Sequence, residues 1–182
     1  MTTLSSKPMR LFLVEFDELY ARHLCRHSQT GINVVHLIAL AVIWYAVYGL
    51  LYQLIEVEWI VALPALLYVA MLTPNVPLRV LTATGLFLSG IVALAIALPQ
   101  APLWANLIAI VAFYKVQAWS HRFYTVSFDI TEFDRKYRKG PLLFVVLLLY
   151  EVPIVLNFLL FAHATRADER ASQRDTAPAT AL

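Results

Sequence analysis

An all-α integral membrane protein is the fold class this sequence predicts, on three observations. Of its 182 residues, 60% are hydrophobic and only 14% charged, where a soluble domain carries roughly 25% charged residues. The mean hydropathy is +0.69. The apolar residues also gather in runs near the ~20 residues a helix needs to cross a ~30 Å hydrocarbon core. The expected architecture is about five transmembrane helices preceded by an amphipathic interfacial helix. Residues 1–31 form a cytoplasmic N-terminal segment, 32–164 the transmembrane domain, and 165–182 a polar tail with a disorder-type composition.

The N-terminal segment does not read as a cleavable signal, because Glu15, Asp17, Glu18, Arg22 and Arg26 interrupt its apolar residues. Over Leu13 to His27 it reads as a helix lying at the interface. Phe16, Tyr20, His23 and His27 follow steps of four, three and four and so share one face. Ser28 to Gly31 breaks the pattern and lets the chain turn into the first span, 32–54, which Glu56 and Glu58 close. The second span, 59–72, carries Pro64, and Thr73-Pro74-Asn75-Val76-Pro77 then makes a turn, since two prolines remove donors and fix backbone angles. The third span is 78–98, stopped by Pro99; the fourth is 103–120 and the fifth 142–164.

Basic residues orient the bundle. Lys7, Arg10, Arg22 and Arg26 precede the first span, Arg79 lies in the second loop, and Arg122, Arg135, Lys136, Arg138 and Lys139 lie in the fourth. Excess Lys and Arg mark the cytoplasmic side. The N-terminus and the loop from His121 to Gly140 are therefore expected in the cytoplasm, of a bacterial inner membrane or of the endoplasmic reticulum. Five spans would put Arg166, Arg170 and Arg174 outside, where they fit poorly. Trp44, Trp59, Trp104 and Trp119 fall near span ends and read as an interfacial belt. A net charge of +2 without a dense basic stripe argues against a nucleic-acid partner. The single cysteine, Cys25, excludes an intrachain disulfide and a cysteine-rich zinc site.

Four of the five histidines are expected on one membrane face. His23 and His27 form an i,i+4 pair that stacks one turn apart. His36 lies at the start of the first span, and His121 at the end of the fourth, which a zigzag path returns to the same side. A histidine at bilayer depth is a functional candidate by default, because burying it without a partner is costly. The alternative for each is a hydrogen bond to a neighbouring carbonyl or to solvent. His163 falls at the far end of the last span. Tyr114, Gln117 and His121 form a polar stripe on the fourth span, so Gln117 is a candidate to orient His121. Glu151, roughly 14 Å below Leu142, needs a partner, and Lys115, about 9 Å from His121, is the natural one at ~1.5 Å per residue. Histidines with one carboxylate and open positions suit non-haem Fe(II), and Asp129, Glu132 or Asp134 could supply that carboxylate, although a solvated charged loop explains them as well. HxxHH boxes, GxSxG, phosphate-binding loops and HExxH are absent from the sequence.

The stretch YARHLCRHSQTGINVVHLIAL at 20–40, with AWSH at 118–121, resembles the 2-hydroxy fatty acid dioxygenase-like membrane proteins. His27, His36 and His121 match that family's histidines and Tyr20 its upstream aromatic. Ser120 stands where the family tends to have glycine, and Ile32 where it tends to have asparagine. The resemblance implies an Fe(II)-dependent enzyme that cleaves a 2-hydroxy fatty acid with O2. On that reading His23, His27, His36 and His121 bind the metal, and Tyr20, Gln117 and Lys115 assist catalysis. Two other classes remain open: a non-catalytic membrane scaffold, and a b-type haem electron carrier with His36 and His121 as axial ligands.

Overall fold

The computed structural model describes residues 15–55, 62–124, 137 and 140–162. Among them are six α-helices and no strand. Helix α1 (Phe16–Arg26) carries Asp17 and Glu18 in its first turn and His23 and Arg26 in its last, the charge order that complements the helix dipole. Its buried residues, Phe16, Leu19 and His23, fall three and four apart and make one inward stripe. The chain leaves the helix at His27, where φ is −133°. After Ser28 and Gln29 it enters α2 (Thr30–Ile55). Gly31 is needed at this corner, because a Cβ there would run into the ring of Tyr124.

Helix α3 (Leu63–Leu72) starts with Pro64 in its first turn, where the missing N–H is not wanted by the helix. Its ten residues cover about 15 Å at ~1.5 Å per residue, half a bilayer core. The Thr73–Pro77 turn is closed by bonds from the Asn75 and Val76 amides to the Leu72 carbonyl. It leads into α4 (Leu78–Ala97). Helix α5 (Leu103–Ser120) packs mainly along α2. Their far ends close up at Gly49, where a Cβ would stand 2.9 Å from the amides of Asn106 and Gln100. Gln53 on α2 donates to the Ala101 carbonyl at the same end, 2.7 Å away.

Helix α6 (Pro141–Asn157) continues into a π-helical turn, Phe158–Ala162. Pro153 lies inside α6 and lacks the N–H that would have bonded the carbonyl four residues back. That carbonyl, of Leu149, accepts instead from the hydroxyl of Tyr68 on α3. Asn75 likewise donates to the Tyr150 hydroxyl at 2.9 Å, tying the α3–α4 turn to α6. Phe16, Leu19, Tyr48, Leu72, Leu88, Val146 and Tyr150 belong to one core that joins α1, α2, α3, α4 and α6.

The helices α2, α4 and the stretch Pro141–Phe161 are long and apolar enough to cross a membrane. The burial pattern agrees with that reading. The buried residues of α5 are Asn106, Gln117 and Ser120, while its Trp104, Ile108 and Val111 are about three-fifths exposed. Polar inside and apolar outside is the arrangement lipid rewards and water penalises. Leu66, Leu67 and Leu86 are also exposed. Among the described residues the expected count of five spans is not confirmed on length and composition: α3 as described is short, and Asn106, Lys115 and Gln117 dilute α5. Residues 1–14, 56–61, 125–136, 138–139 and 163–182 lie outside the described set, with Glu56, Glu58, Trp59, Asp129, Glu132, Asp134, His163 and the tail among them.

Candidate metal centre

Three imidazoles meet where the N-terminus of α2, the C-terminal end of α5 and the chain leaving α1 come together. His27 follows the last turn of α1, His36 sits in the second turn of α2, and His121 caps α5. One ligand nitrogen from each can be chosen so that all three lie within 4.8 Å of one another. The ring centroids of His27 stand 4.7 Å from those of both His36 and His121, and His36 and His121 are 5.3 Å apart. All three pairs meet edge to face, at 75°, 76° and 90°. A metal ion at ~2.1 Å from each nitrogen would hold the nitrogens about 3 Å apart, so closing the set takes a shift of an ångström or two.

Hydrogen bonding prepares two of these rings as ligands. His27 Nδ1 lies 3.3 Å from the carbonyl of His23. A carbonyl only accepts, so Nδ1 carries the proton and Nε2 the lone pair. The Nε2 atoms of His27 and His36 are both buried with no hydrogen-bond partner among the described residues, an expensive state for a polar atom. Burial holds His27 far below the ordinary 6.5, to about 2, reinforced by the neighbouring His23, His36 and His121. His121 is lowered too, by burial and then by His36 and Arg26. His27 is therefore neutral at physiological pH, the form that binds metal.

His23 does not join the three. Its ring stacks flat on His27, 4.1 Å away at 5°, because the i,i+4 spacing that makes the pair neighbours also lays them parallel. Its Nε2 is hydrogen-bonded to Oδ1 of Asn33 at 2.8 Å. Asn33 is itself fully buried and donates through Nδ2 to the carbonyls of His27 and Gln29, at 2.6 and 2.9 Å. Burial brings His23 down to about 4. It therefore backs the His27 ring and pins the α1–α2 corner.

Glu151 also departs from expectation. Its Oε1 lies 2.9 Å from His36 Nδ1 and 3.0 Å from Gln117 Nε2. Gln117 thus serves Glu151 and not His121, and Lys115 is not the partner of this carboxylate. Lys115 is exposed on α5 and does not line the cavity beneath the imidazoles. Tyr20 is not there either; it stacks on Phe16, with centroids 6.3 Å apart, and packs against the core. Asn33 and Glu151 were underrated by sequence reasoning. Their signal was a polar side chain inside an apolar run, one turn from a histidine in the first case.

The cavity has a volume of about 310 Å³. The three imidazoles, Gln117 and Glu151 form its polar end, with Arg22 and Arg26 beside them. Phe144 and Leu148 of α6 and Tyr114 of α5 form an apolar flank, and all three are exposed. The fold and the cluster together define a class: among the described residues the structure is all helical, with three helices long and apolar enough to cross a membrane and three imidazoles placed where they could hold one metal ion. Comparison with known proteins narrows this no further, since no family model, curated protein or solved structure matches the chain.

Proposed function

We propose that this chain is a membrane-embedded, metal-dependent oxygenase of lipid metabolism, with His27, His36 and His121 as the metal ligands. The observation that carries the reading is the pair of buried ring nitrogens, on His27 and His36, that have lone pairs to give and nothing nearby to take them. A buried nitrogen without a partner is costly, and a cation bound there removes the penalty. Three imidazoles leave coordination positions for O2 and a chelating substrate, and iron is the metal to try first because such open nitrogen sets suit non-haem Fe(II). The metal would supply oxygen activation. The chain supplies orientation through Asn33 and Glu151, and a positive rim through Arg22 and Arg26 suited to an anionic headgroup. The exposed flank of Phe144, Leu148 and Tyr114 suits an acyl chain lying in the bilayer.

On the family resemblance the first substrate to test is a 2-hydroxy fatty acid. With O2 it would give a fatty acid one carbon shorter, CO2 and water, the bond between carboxyl and hydroxyl-bearing carbons being broken. In this reading α3 and α5 complete five spans, and the N-terminus and the 121–140 loop lie on the cytoplasmic side. The proximity of His36 to His121 supports it, since the start of α2 and the end of α5 then share one face. A haem between His36 and His121 is disfavoured, because His27 lies 4.7 Å from both rings and fills the slot a flat macrocycle needs.

The test is elemental analysis of protein purified anaerobically in mild detergent, beside the His27→Ala, His36→Ala and His121→Ala variants. Near-stoichiometric metal that falls in each variant supports the centre, and O2-dependent CO2 release from a 2-hydroxy fatty acid supports the reaction. Metal-free wild-type protein that also fails to take up added Fe(II) would leave a scaffold role in front.

A further inference from the structure

Glu151 is a carboxylate inside an apolar helix, and such a residue is costly unless something needs it. Its Oε1 accepts from two helices at once, from His36 Nδ1 on α2 at 2.9 Å and from Gln117 Nε2 on α5 at 3.0 Å. From this geometry we infer that Glu151 is the positioning residue of the metal centre, holding His36 in the tautomer that presents Nε2 to the ion. The inference rests on the metal-centre reading above and adds a specific residue to it.

Three features lead to this role. A carboxylate oxygen accepts, so the His36 proton is kept on Nδ1 and the lone pair on Nε2, the atom that is buried without a partner. The bond from Gln117 stops the carboxylate from rotating away, which fixes the plane of the His36 ring as well as its tautomer. Charge is the third feature. Glu151 is the one acid among the described residues that line the cavity, where Arg22 and Arg26 are also present. A divalent ion held by neutral imidazoles in a weakly polar surrounding needs a nearby anion, and this carboxylate stands one imidazole away from it. Carboxylate–imidazole–metal relays of this kind typically set metal affinity by 10–100-fold.

Glu151→Gln is the informative variant. It keeps size, shape and an oxygen in the place of Oε1, where both donors point, but it removes the negative charge and leaves a weaker acceptor to hold His36. The measurement is Co(II) titration of wild-type, Glu151→Gln, His36→Ala and the double variant in detergent, followed by the visible absorption of bound cobalt. Glu151→Gln should bind 10–100-fold more weakly, with the same cobalt band shape as wild type. The double variant should bind no more weakly than His36→Ala alone, because Glu151 acts through His36.

Equal affinity of Glu151→Gln and wild type, or losses that multiply in the double variant, would overturn the inference while leaving the metal centre standing. A band shape in Glu151→Gln that signals one ligand fewer would also overturn it, making Glu151 a ligand itself. Wild-type protein that binds no cobalt would overturn both readings. A further measurement covers misfolding of the variant: 15N NMR of histidine-labelled, metal-free wild type. His36 should show a protonated Nδ1 and an unprotonated Nε2, and the opposite tautomer would end the argument.

Discussion

Replacing Asn33 by Leu tests how the α1–α2 corner aims His27. The side chain is fully buried and makes three hydrogen bonds, to His23 Nε2 and to the carbonyls of His27 and Gln29. Leu has the same number of side-chain heavy atoms and the same branching, so no cavity is opened. One carbonyl is on half-buried His27 and the other on exposed Gln29, and losing each bond should cost about 1 kcal/mol. His23 is buried, and stranding its N–H should cost a further ~1–3 kcal/mol. The expected total is about 3–5 kcal/mol. Thermal or denaturant unfolding of the detergent-solubilised protein reads it directly. The penalty should shrink by roughly the stranded-donor share when His23→Phe is already present, because the partner is then gone. Metal uptake should weaken too, as the corner that carries His27 loosens. A loss below about 1 kcal/mol in Asn33→Leu, or a full loss retained on the His23→Phe background, would refute the reasoning.

Tyr68→Phe should destabilise by ~1–3 kcal/mol, since it strands the Leu149 carbonyl that Pro153 leaves open. On a Pro153→Ala background, where a restored N–H serves that carbonyl, unfolding curves should show most of this cost gone. Stability should also fall as pH drops. His23 goes from the ordinary 6.5 down to about 4 on folding, so its contribution is complete above 6.5 and is lost as pH falls toward 4, by about 1 kcal/mol at pH 5.5. His27 acts with the same sign, and unfolding midpoints of wild type and His23→Phe between pH 7.5 and 5.5 should diverge in slope. Gly31→Ala should cost about 1–3 kcal/mol by pressing on Tyr124, and Tyr124→Ala should relieve it in a double-variant melt.

The helical class was legible because apolar run length is a property of the chain alone. The closeness of three histidines was nearly so: His27 and His36 flank a short break, and a returning helix places His121 on the same face. What the sequence did not reveal is how the helices register. Whether Glu151 meets Lys115, His36 or Gln117 depends on the rotation and depth of α2, α5 and α6 relative to one another, and one-dimensional spacing carries neither. Lys115 misled for that reason, since it is at a plausible depth but on the outward side of α5. His23 is a different case. Its i,i+4 spacing from His27 gives proximity in any helix, and here its ring stacks on His27 at 4.1 Å while its Nε2 is taken up by Asn33. Helix α5 shows a related effect: Asn106 and Gln117, which it turns inward, are among the residues that weaken its hydropathy as a span.

The histidine cluster draws on residues 27, 36 and 121, and its carboxylate on residue 151. No short stretch of the chain holds more than two of these groups. During synthesis, α1 and α2 would enter the membrane with two imidazoles and no cage to hold an ion. The third arrives only with the end of α5, and the carboxylate with α6, when nearly all of the bundle has been inserted. On the proposed metal reading, loading would then be a late step in biogenesis, and a chain stalled before α6 would hold its three imidazoles without the carboxylate behind His36.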